Sequence, residues 1–301
     1  MIYTLTLNPS IDYIMRLDDF KEGVTNRSFE DKKFPGGKGI MVSKLLKNLG
    51  ENPINLGFLG GFTGEFIKNS LEDLGIREDF TKIKGDSRIN VKLKCQDETE
   101  INAGGPDIDD EEIASFLEKI SSLTNDDILV MSGSIPQSLS KDFYKRILET
   151  KNIDFTIDIA GNELLNYLKY KPLLVKPNID ELEAIFDTKI DNTNFLAYAK
   201  KLKQLGAQNV IVSMGKDGSI FISDDFTLKA EPIDGKLINS VGAGDSMVAG
   251  FIYGIKNGLS KKESYKLAVA SGTATAFSED IASKEFIYDI LKKVEVKEYG
   301  N

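Results

Sequence analysis

The sequence predicts an α/β fold with a mostly parallel central sheet flanked by helices. Short apolar runs lack the alternation of a half-exposed strand, which is typical of buried parallel strands. These runs occupy residues 128–131, 155–157, 173–175 and 210–212. Other segments space their apolar residues as helices do and end at a glycine. They occupy residues 42–49, 196–205 and 248–255, before Gly50, Gly206 and Gly258. Because strands and helices alternate along the chain, a layered α/β architecture is expected.

Two segments, residues 11–34 and residues 87–103, depart from this alternation. In the second, apolar residues from Ile89 to Cys95 alternate with Asn90, Lys92 and Lys94. This pattern is typical of a strand with one wet face, on which charged residues are usually solvated. We therefore expect a small sheet apart from the main one, serving as a lid on a single domain of residues 1–301, and no role for Lys92 or Lys94.

Composition places the chain among ordinary globular proteins and argues against some classes of partner. The 301 residues are 41% hydrophobic and 28% charged, and the net charge is −9. A strongly acidic chain is a poor nonspecific ligand for nucleic acid, which is held by clustered lysine and arginine. The chain begins without a basic, apolar leader and contains no apolar run of about 18 residues. The sequence thus predicts a cytoplasmic protein without nucleic-acid or membrane partners.

Two residue counts exclude several kinds of catalysis. The chain has no histidine, which excludes Ser-His-Asp triads, histidine bases and histidine metal sites. Its one cysteine, Cys95, excludes an internal disulfide and a cysteine-based zinc site. Any proton transfer must therefore use a carboxylate, a lysine, a tyrosine or water.

The first glycine cluster, Gly36-Gly37-Lys38-Gly39, stands directly before the helix that is predicted to start near Met41. Glycines let a backbone approach a ligand closely, and a helix N-terminus offers free N–H groups to an anion. Lys38 adds a positive charge. The cluster predicts an anion site, although a tight strand-to-helix turn would explain the glycines equally well.

The second cluster runs from Asn239 to Ser246 and also leads into a predicted helix. Gly242, Ala243 and Gly244 can direct backbone donors at developing negative charge, with the Asp245 carboxylate beside them. The alternative interpretation makes Asp245 an ordinary N-cap. A dinucleotide-binding fingerprint is excluded because Met247 stands where its third glycine belongs, and no P-loop motif occurs.

These two clusters, in this order, resemble the ribokinase-like sugar kinases of the phosphofructokinase B group. Residues 36–43 are similar to the N-terminal signature of that family, residues 239–252 to its C-terminal signature, and residues 176–181 to its magnesium and phosphate segment. The resemblance covers essentially the whole chain and implies a ribokinase-like fold with a β-sheet lid. It also implies ATP and Mg²⁺, with Asp245 as the catalytic base and the amides of Gly242, Ala243 and Gly244 as the anion hole.

The resemblance also assigns binding residues by position. Those implied for the sugar phosphate are Asp12, Gly37, Lys38, Arg88 and Asn102; those implied for the nucleotide are Lys176, Asn178, Ser213, Gly215 and Gly218. Glu181, with Asn178, is implied for magnesium through indirect contacts. Asp12 could instead be a turn residue and Glu181 a solvated helix residue. Arg88 is implied to clamp the existing phosphate together with Lys38.

Residues 87–93 and 99–102 are similar to the lid segment of bacterial 1-phosphofructokinases. This similarity implies phosphorylation of fructose 1-phosphate to fructose 1,6-bisphosphate, and a homodimer joined through the lid. Tagatose 6-phosphate and fructose 6-phosphate are alternative substrates, and a non-catalytic sugar-phosphate sensor is an alternative of another class. The chain departs from the family at Met41, where asparagine is usual and can donate a hydrogen bond.

Overall fold

The computed structural model describes residues 1–191 and 193–300. Over these residues it has fifteen strands, numbered in chain order. They are β1 (Ile2–Thr6), β2 (Ser10–Arg16), β3 (Glu30–Gly36), β4 (Ile54–Gly60), β5 (Arg77–Glu78), β6 (Thr81–Ile83), β7 (Arg88–Lys94), β8 (Glu98–Asn102), β9 (Ile128–Ser132), β10 (Asp154–Asp158), β11 (Leu174–Val175), β12 (Val210–Ser213), β13 (Ser219–Ile222), β14 (Thr227–Ala230) and β15 (Val296–Glu298).

The same residues form nine α-helices. They are α1 (Lys38–Leu49), α2 (Gly61–Asp73), α3 (Asp110–Ser121), α4 (Phe143–Thr150), α5 (Ile179–Phe186), α6 (Phe195–Gln204), α7 (Ala243–Lys256), α8 (Lys261–Ala276) and α9 (Lys284–Leu291). The three helices predicted from apolar spacing correspond to α1, α6 and α7. Gly50 ends α1 in the left-handed conformation, with φ 104°, which is the role that the sequence predicts for it.

The central sheet has the strand order β15-β14-β13-β12-β11-β10-β9-β1-β4-β5, and β6 also pairs with β4. All pairings from β12 to β5 and β6 are parallel, and those among β12, β13, β14 and β15 are antiparallel. The predicted apolar runs lie in β9, β10, β11 and β12. The mostly parallel α/β sheet is therefore confirmed.

Helices cover both faces of the sheet, which explains why its strands are apolar throughout. Leu129 and Met131 of β9 belong to the cluster that includes Phe116 of α3 and Phe143 of α4. The intervening Val130 belongs to the opposite cluster, which is built with α1, α7 and α8. Each fully buried Leu or Phe side chain in these clusters contributes about 1.5–3 kcal/mol. Within the described residues, no helix is long and apolar enough to cross a membrane.

A second sheet of four strands, with the order β3-β2-β7-β8, stands apart from the first. It lies in the two segments predicted for it, and β2 pairs with β3 antiparallel and with β7 in parallel. The expected wet face is wrong at two positions. Asn90 is only 8% exposed and the Lys92 side chain only 12%, because both contact Asp12. The role of this sheet as a lid and the single-domain organisation stay predictions.

Candidate active site

The predicted nucleotide residues lie where adjacent parallel strands end. Asp158 is the last residue of β10, Lys176 follows β11, and Ser213 is the last residue of β12. Parallel strands direct their carboxyl ends to one edge of a sheet, where α/β proteins bind ligands. Ser213 donates its amide hydrogen to the Pro177 carbonyl at 3.1 Å and forms a parallel bridge with Asn178. The sheet thus brings together segments that are far apart in sequence.

The second glycine cluster forms the N-terminus of α7. Gly242 is the N-cap, with φ 78°, and Asp245 is the third helical residue, so the interpretation of Asp245 as an N-cap is wrong. The Ala243 amide donates to the Ser240 carbonyl at 3.3 Å. Within the described residues, the amides of Gly242 and Gly244 donate to no backbone carbonyl. Helix-terminal N–H groups of this kind can receive an anion.

Asp245 is only 9% exposed. Its burial, together with the nearby Asp158, raises the pKa of Asp245 to about 7, although Lys38 and Lys176 act against the increase. A carboxylate whose pKa lies near the operating pH is a stronger base than an ordinary carboxylate and is still partly ionised, so it can accept a proton. The environment of Asp245 is therefore suited to a general base.

Asp158, which the sequence analysis missed, lies between two lysines of the site. Its side chain accepts a hydrogen bond from Lys38 Nζ at 3.0 Å and lies 3.9 Å from Lys176 Nζ. Burial opposes its ionisation, but the two lysines hold the pKa of Asp158 below its ordinary value. Burial likewise disfavours the charge of Lys38, while Asp158, Asp245 and Glu181 raise its pKa. Asp158 and Glu181 thus lie with Lys38 and Lys176 in one cluster of opposite charges.

Two glycines of the α7 N-terminus are closely surrounded. A Cβ on Gly244 would lie 3.0 Å from Lys176 Nζ, so this lysine reaches the predicted anion hole. A Cβ on Gly242 would lie 2.8 Å from Ile281 Cδ1 and 3.1 Å from Met41 Cε. Met41 is half-buried and contacts the glycine loop, whereas Leu45, four residues later, is buried in the core. Met41 therefore belongs to the surroundings of the site.

The pair Asn178 and Glu181 forms a capping box at the start of α5. Asn178 Oδ1 accepts the Glu181 amide at 2.7 Å, and Glu181 Oε2 accepts the Asn178 amide at 2.9 Å. The other oxygen of Glu181, Oε1, lies 3.9 Å from Lys38 Nζ. Glu181 thus joins the charged cluster while it caps the helix. Gly215 and Gly218 follow Ser213 in a tight turn, with φ 56° and 85°.

On the small sheet, Asp12 has fixed partners. Its Oδ1 accepts hydrogen bonds from Ser10 Oγ at 2.8 Å and from Asn90 Nδ2 at 3.3 Å, and its Oδ2 lies 3.4 Å from Lys92 Nζ. Gly37, the N-cap of α1, has φ 130°, and a Cβ there would lie 2.4 Å from Thr6 Cγ2. Only glycine fits this position, because a side chain would clash with Thr6, and the approach of the Gly37 backbone to a ligand stays a prediction.

Arg88 and Lys38 have different partners in this structure. Arg88 donates to the carbonyl oxygens of Asn8 at 3.1 Å and Ala103 at 3.0 Å, and to Ser134 Oγ at 3.3 Å. Burial lowers the pKa of Arg88, and Asp12 partly offsets this effect; a guanidinium nevertheless stays charged. The joint phosphate clamp of Arg88 and Lys38 stays a prediction.

Asn102 of β8 and Lys92 of β7 lie on the same face of the small sheet as Asp12. Asn102 is exposed and donates to Glu100 Oε2 at 3.3 Å. Lys92 Nζ lies 3.4 Å from Glu100 Oε1 as well as from Asp12 Oδ2. Although burial disfavours its charge, Asp12 and Glu100 raise the pKa of Lys92. The only sequence signal for these contacts was the polar residue at every second position of the strand.

The profile of the pfkB family carbohydrate kinases matches residues 5–284. This chain belongs to the pfkB family. It is 49% identical over 300 residues to a 1-phosphofructokinase of Bacillus subtilis, covering 98% of this chain and 99% of the relative. It is 43% identical over 303 residues to a 1-phosphofructokinase of Borreliella burgdorferi, covering 99% of each. The resemblance to phosphofructokinase B sugar kinases is confirmed, and the chain is a carbohydrate kinase.

Solved structures confirm the ribokinase-like fold. Phosphofructokinase-2 of Escherichia coli, in complex with fructose-6-phosphate, matches with a TM-score of 0.89 at 25% identity, covering 97% of this chain and 98% of that one. Ribokinase of Thermotoga maritima matches with a TM-score of 0.81 at 20% identity, covering 97% and 99%. The second likeness concerns the fold alone.

Proposed function

We propose that this pfkB-family kinase transfers the γ-phosphoryl group of ATP to the free primary hydroxyl of fructose 1-phosphate, giving fructose 1,6-bisphosphate and ADP. The observation that carries the proposal is the position of Asp245, a buried carboxylate in the first turn of α7. Beside it are the amides of Gly242 and Gly244, which donate to no backbone carbonyl of the described residues. The full-length similarity to two 1-phosphofructokinases supports the choice of substrate.

In this reaction the sugar oxygen forms a bond to the γ-phosphorus while the bond from that phosphorus to the β,γ-bridging oxygen breaks. The electron pair of the broken bond stays on ADP, and the hydroxyl proton passes to the Asp245 carboxylate. Phosphoryl transfer depends mainly on positioning and on stabilisation of charge. The amides of Gly242 and Gly244 and the ammonium groups of Lys38 and Lys176 supply that stabilisation.

The sugar phosphate is proposed to lie between the small sheet and the α7 N-terminus. Asp12 would accept a sugar hydroxyl, and the backbone at Gly37 would allow close approach. Arg88 would bind the existing phosphate, because a guanidinium pairs with phosphate in a planar, bidentate geometry. Its present hydrogen bonds go to two carbonyl oxygens and a hydroxyl group, so no carboxylate has to be displaced from it.

ATP is proposed to bind along the carboxyl ends of β11 and β12, at Lys176, Asn178, Ser213, Gly215 and Gly218. Within the described residues no cluster of three or more carboxylates or thiols could enclose a metal ion. Glu181 Oε1, which lies outside the capping box, suits a magnesium ion that keeps waters and phosphate oxygens as most of its ligands. Such an ion, bound with ATP, would neutralise phosphate charge.

A coupled assay for ADP release with a panel of sugar phosphates tests the proposal. We expect the largest kcat/KM with fructose 1-phosphate, and smaller values with tagatose 6-phosphate and fructose 6-phosphate. The matched control is Asp245→Asn, which should release little ADP with any sugar. A clear preference for another sugar phosphate would overturn the substrate, and binding without ADP release would favour the sensor.

A homodimer joined through the small sheet is also proposed. This sheet and its loops carry exposed apolar side chains, among them Phe29, Phe34 and Ile101, which is 58% exposed. Exposed apolar surface and strand edges favour association with a second copy. Light scattering at micromolar concentration should give the mass of two chains, and Ile101→Glu should shift it toward one. A wild-type mass of one chain would contradict the dimer.

A further inference from the structure

Lys44 of α1 carries a buried charge that the proposed reaction does not use. It is 9% exposed, and its Nζ donates to both carboxylate oxygens of Asp280, each at 2.8 Å. Asp280 lies in the chain between α8 and α9, and its side chain is 59% exposed. A buried charge needs such a partner, because an unpaired charge in a protein interior is costly. The pair therefore ties the middle of α1 to the chain that follows α8.

A second contact joins α1 to residues 278–282, which we call the linking segment. Asn48, four residues after Lys44, donates through Nδ2 to the Ala282 carbonyl at 2.9 Å, with the Ile281 carbonyl 3.5 Å away. Side chains four residues apart lie on one face of a helix. The linking segment is thus fastened to one face of α1 by a charged pair and by a neutral hydrogen bond.

On its other side, the linking segment packs against the N-terminus of α7. A Cβ on Gly242 would lie 2.8 Å from Cδ1 of Ile281, so this side chain lies directly on the N-cap. The Ala282 amide donates to Thr275 Oγ1 at 3.3 Å, and Thr275 Oγ1 forms a buried hydrogen bond of 2.9 Å with Ser246 Oγ. Ser246 is the residue after the proposed base. The segment therefore supports α7 on both sides of that base.

The chain that leads into α7 is bound to the same region. Asn239 Nδ2 donates to the Glu279 carbonyl at 3.2 Å, and the Asn239 amide donates to the Ala276 carbonyl at the same distance. Asn239 Oδ1 in turn accepts the Val241 amide at 3.0 Å. Because Val241 precedes Gly242, the position of the glycine loop depends on that of the linking segment.

We propose that Lys44 is a positioning residue: through Asp280 and the linking segment it holds the amides of Gly242 and Gly244 where they stabilise the transferred phosphoryl group. This inference rests on the proposed function. Donors of an anion hole are effective because they are fixed in advance at the developing charge. Displaced amides would bind the transition state less well and the ground state about as before, so kcat should fall while both KM values stay.

A mutant cycle on the ion pair tests this role. The variants are Lys44→Met, which removes the charge but keeps most of the stem, Asp280→Asn, and the double variant. We expect Lys44→Met to lower kcat for fructose 1-phosphate by about 10–100-fold, with both KM values within about twofold, because a displacement of about 1 Å can cost about 100-fold. Asp280→Asn should lower kcat less, since asparagine still accepts a hydrogen bond, and should have no further effect in the Lys44→Met background. Lys44→Arg should retain most of the activity.

Lys47→Met is the matched control on the same helix. Lys47 Nζ donates to Asn52 Oδ1 at 3.3 Å, outside the linking segment. Its loss also removes one positive charge from α1, and it should change kcat by less than about twofold. Additive effects of Lys44→Met and Asp280→Asn would overturn the positioning role, as would a raised KM for the sugar phosphate with unchanged kcat. Equal losses of kcat in Lys44→Met and Lys47→Met would overturn it too, because charge alone would then be the cause.

Hydrogen exchange tests the inference apart from the proposed function. Melting curves first show whether each variant folds, and Lys44→Gln replaces Lys44→Met if the latter does not. Lys44→Met should make the amides of residues 239–246 exchange about tenfold faster or more, while those of α3, on the opposite face of the sheet, keep their rates. Unchanged exchange in residues 239–246 would overturn the inference, and so would an equal acceleration in α3, which would show a general loss of stability. A wild-type protein that releases no ADP with any sugar phosphate would instead overturn the proposed function.

Discussion

The two sides of the candidate site differ in how they are built. The α7 side uses consecutive residues, from Gly242 to Asp245, which form the N-terminus of a helix whose free N–H groups can receive an anion. The small-sheet side uses single residues from three strands, and its contacts exist only after those strands pair. The first kind of site is therefore visible as a motif, whereas the second is visible only in the fold.

The two sides also differ in charge. Beside α7, neighbouring charges shift the pKa values of Asp158, Asp245 and Lys38, and the pKa of Asp245 is raised to about 7. On the small sheet, the half-buried Asp12 pairs with Lys92, whose side chain is 12% exposed, and Glu100 adds a second carboxylate. We thus expect variants on the α7 side to change kcat and its pH dependence, and variants on the small sheet to change KM.

Asp245→Asn should have the largest effect, because it removes the proton acceptor and leaves the amides in place. We expect kcat to fall by about 10²–10⁴, the usual contribution of a positioned base, with little change in the KM for ATP. Steady-state kinetics at a pH above the raised pKa of Asp245 checks this. A variant with nearly normal kcat would show that the α7 side acts without Asp245 as its base.

Arg88→Ala should change the KM for the sugar phosphate rather than kcat. Loss of a charged hydrogen-bonding partner costs about 1.5–3 kcal/mol, which corresponds to a rise of roughly 10–150-fold in the KM for the sugar phosphate. The KM for ATP should stay within about twofold, and Arg88→Lys should recover only part of the loss because lysine lacks the planar fork. Equal increases for both substrates would contradict the division of the site into two sides.

The pH profile of kcat/KM should report the ionisation of Asp245 on the α7 side. Because burial and Asp158 raise the pKa of Asp245 to about 7, kcat/KM should increase as pH rises through about 7 and then level off. Asp158→Asn removes a like charge and should move this limb to lower pH by about one unit. A limb that stays in place in that variant would show that another group controls it.

The same raised pKa makes a prediction for stability. The folded-state pKa of Asp245 lies above its unfolded value of 3.8, so its contribution to stability is full below that value and is lost as pH rises through about 7. The melting temperature of Asp245→Asn minus that of the wild type should therefore increase from about pH 4 to about pH 7 and level off at higher pH. A difference that does not change with pH would contradict the raised pKa.

Met41→Asn should have the smallest effect. Met41 is half-buried beside Gly242, so asparagine there need not bury an unpaired amide, and the melting temperature should change little. One neutral hydrogen bond to the sugar would contribute about 0.5–1.5 kcal/mol, which lowers KM by about tenfold or less. Met41→Leu, which adds no donor, is the control. A fall in kcat without a fall in KM would show that the thioether serves only to support Gly242.

Much of the fold was predictable because parallel strands that are buried on both faces must be apolar throughout. The runs at residues 128–131 and 210–212 indicated β9 and β12 for this reason, and apolar spacing with a terminal glycine indicated α1. The alternation in β7 predicted a strand correctly but not the environment of its polar face. Periodicity separates the two faces of a strand, and it does not reveal what each face contacts.

By itself the sequence determined the α/β class, the two glycine loops at helix N-termini, and Asp245 as an acid in the first turn of a helix. These features depend on local backbone conformation, which neighbouring residues control. Only the tertiary structure decided that Asp158 lies between Lys38 and Lys176, that Met41 contacts Gly242, and that Lys92 is paired with Asp12. Such contacts join residues from distant strands and helices, so they follow from sheet order and register, which no local pattern specifies.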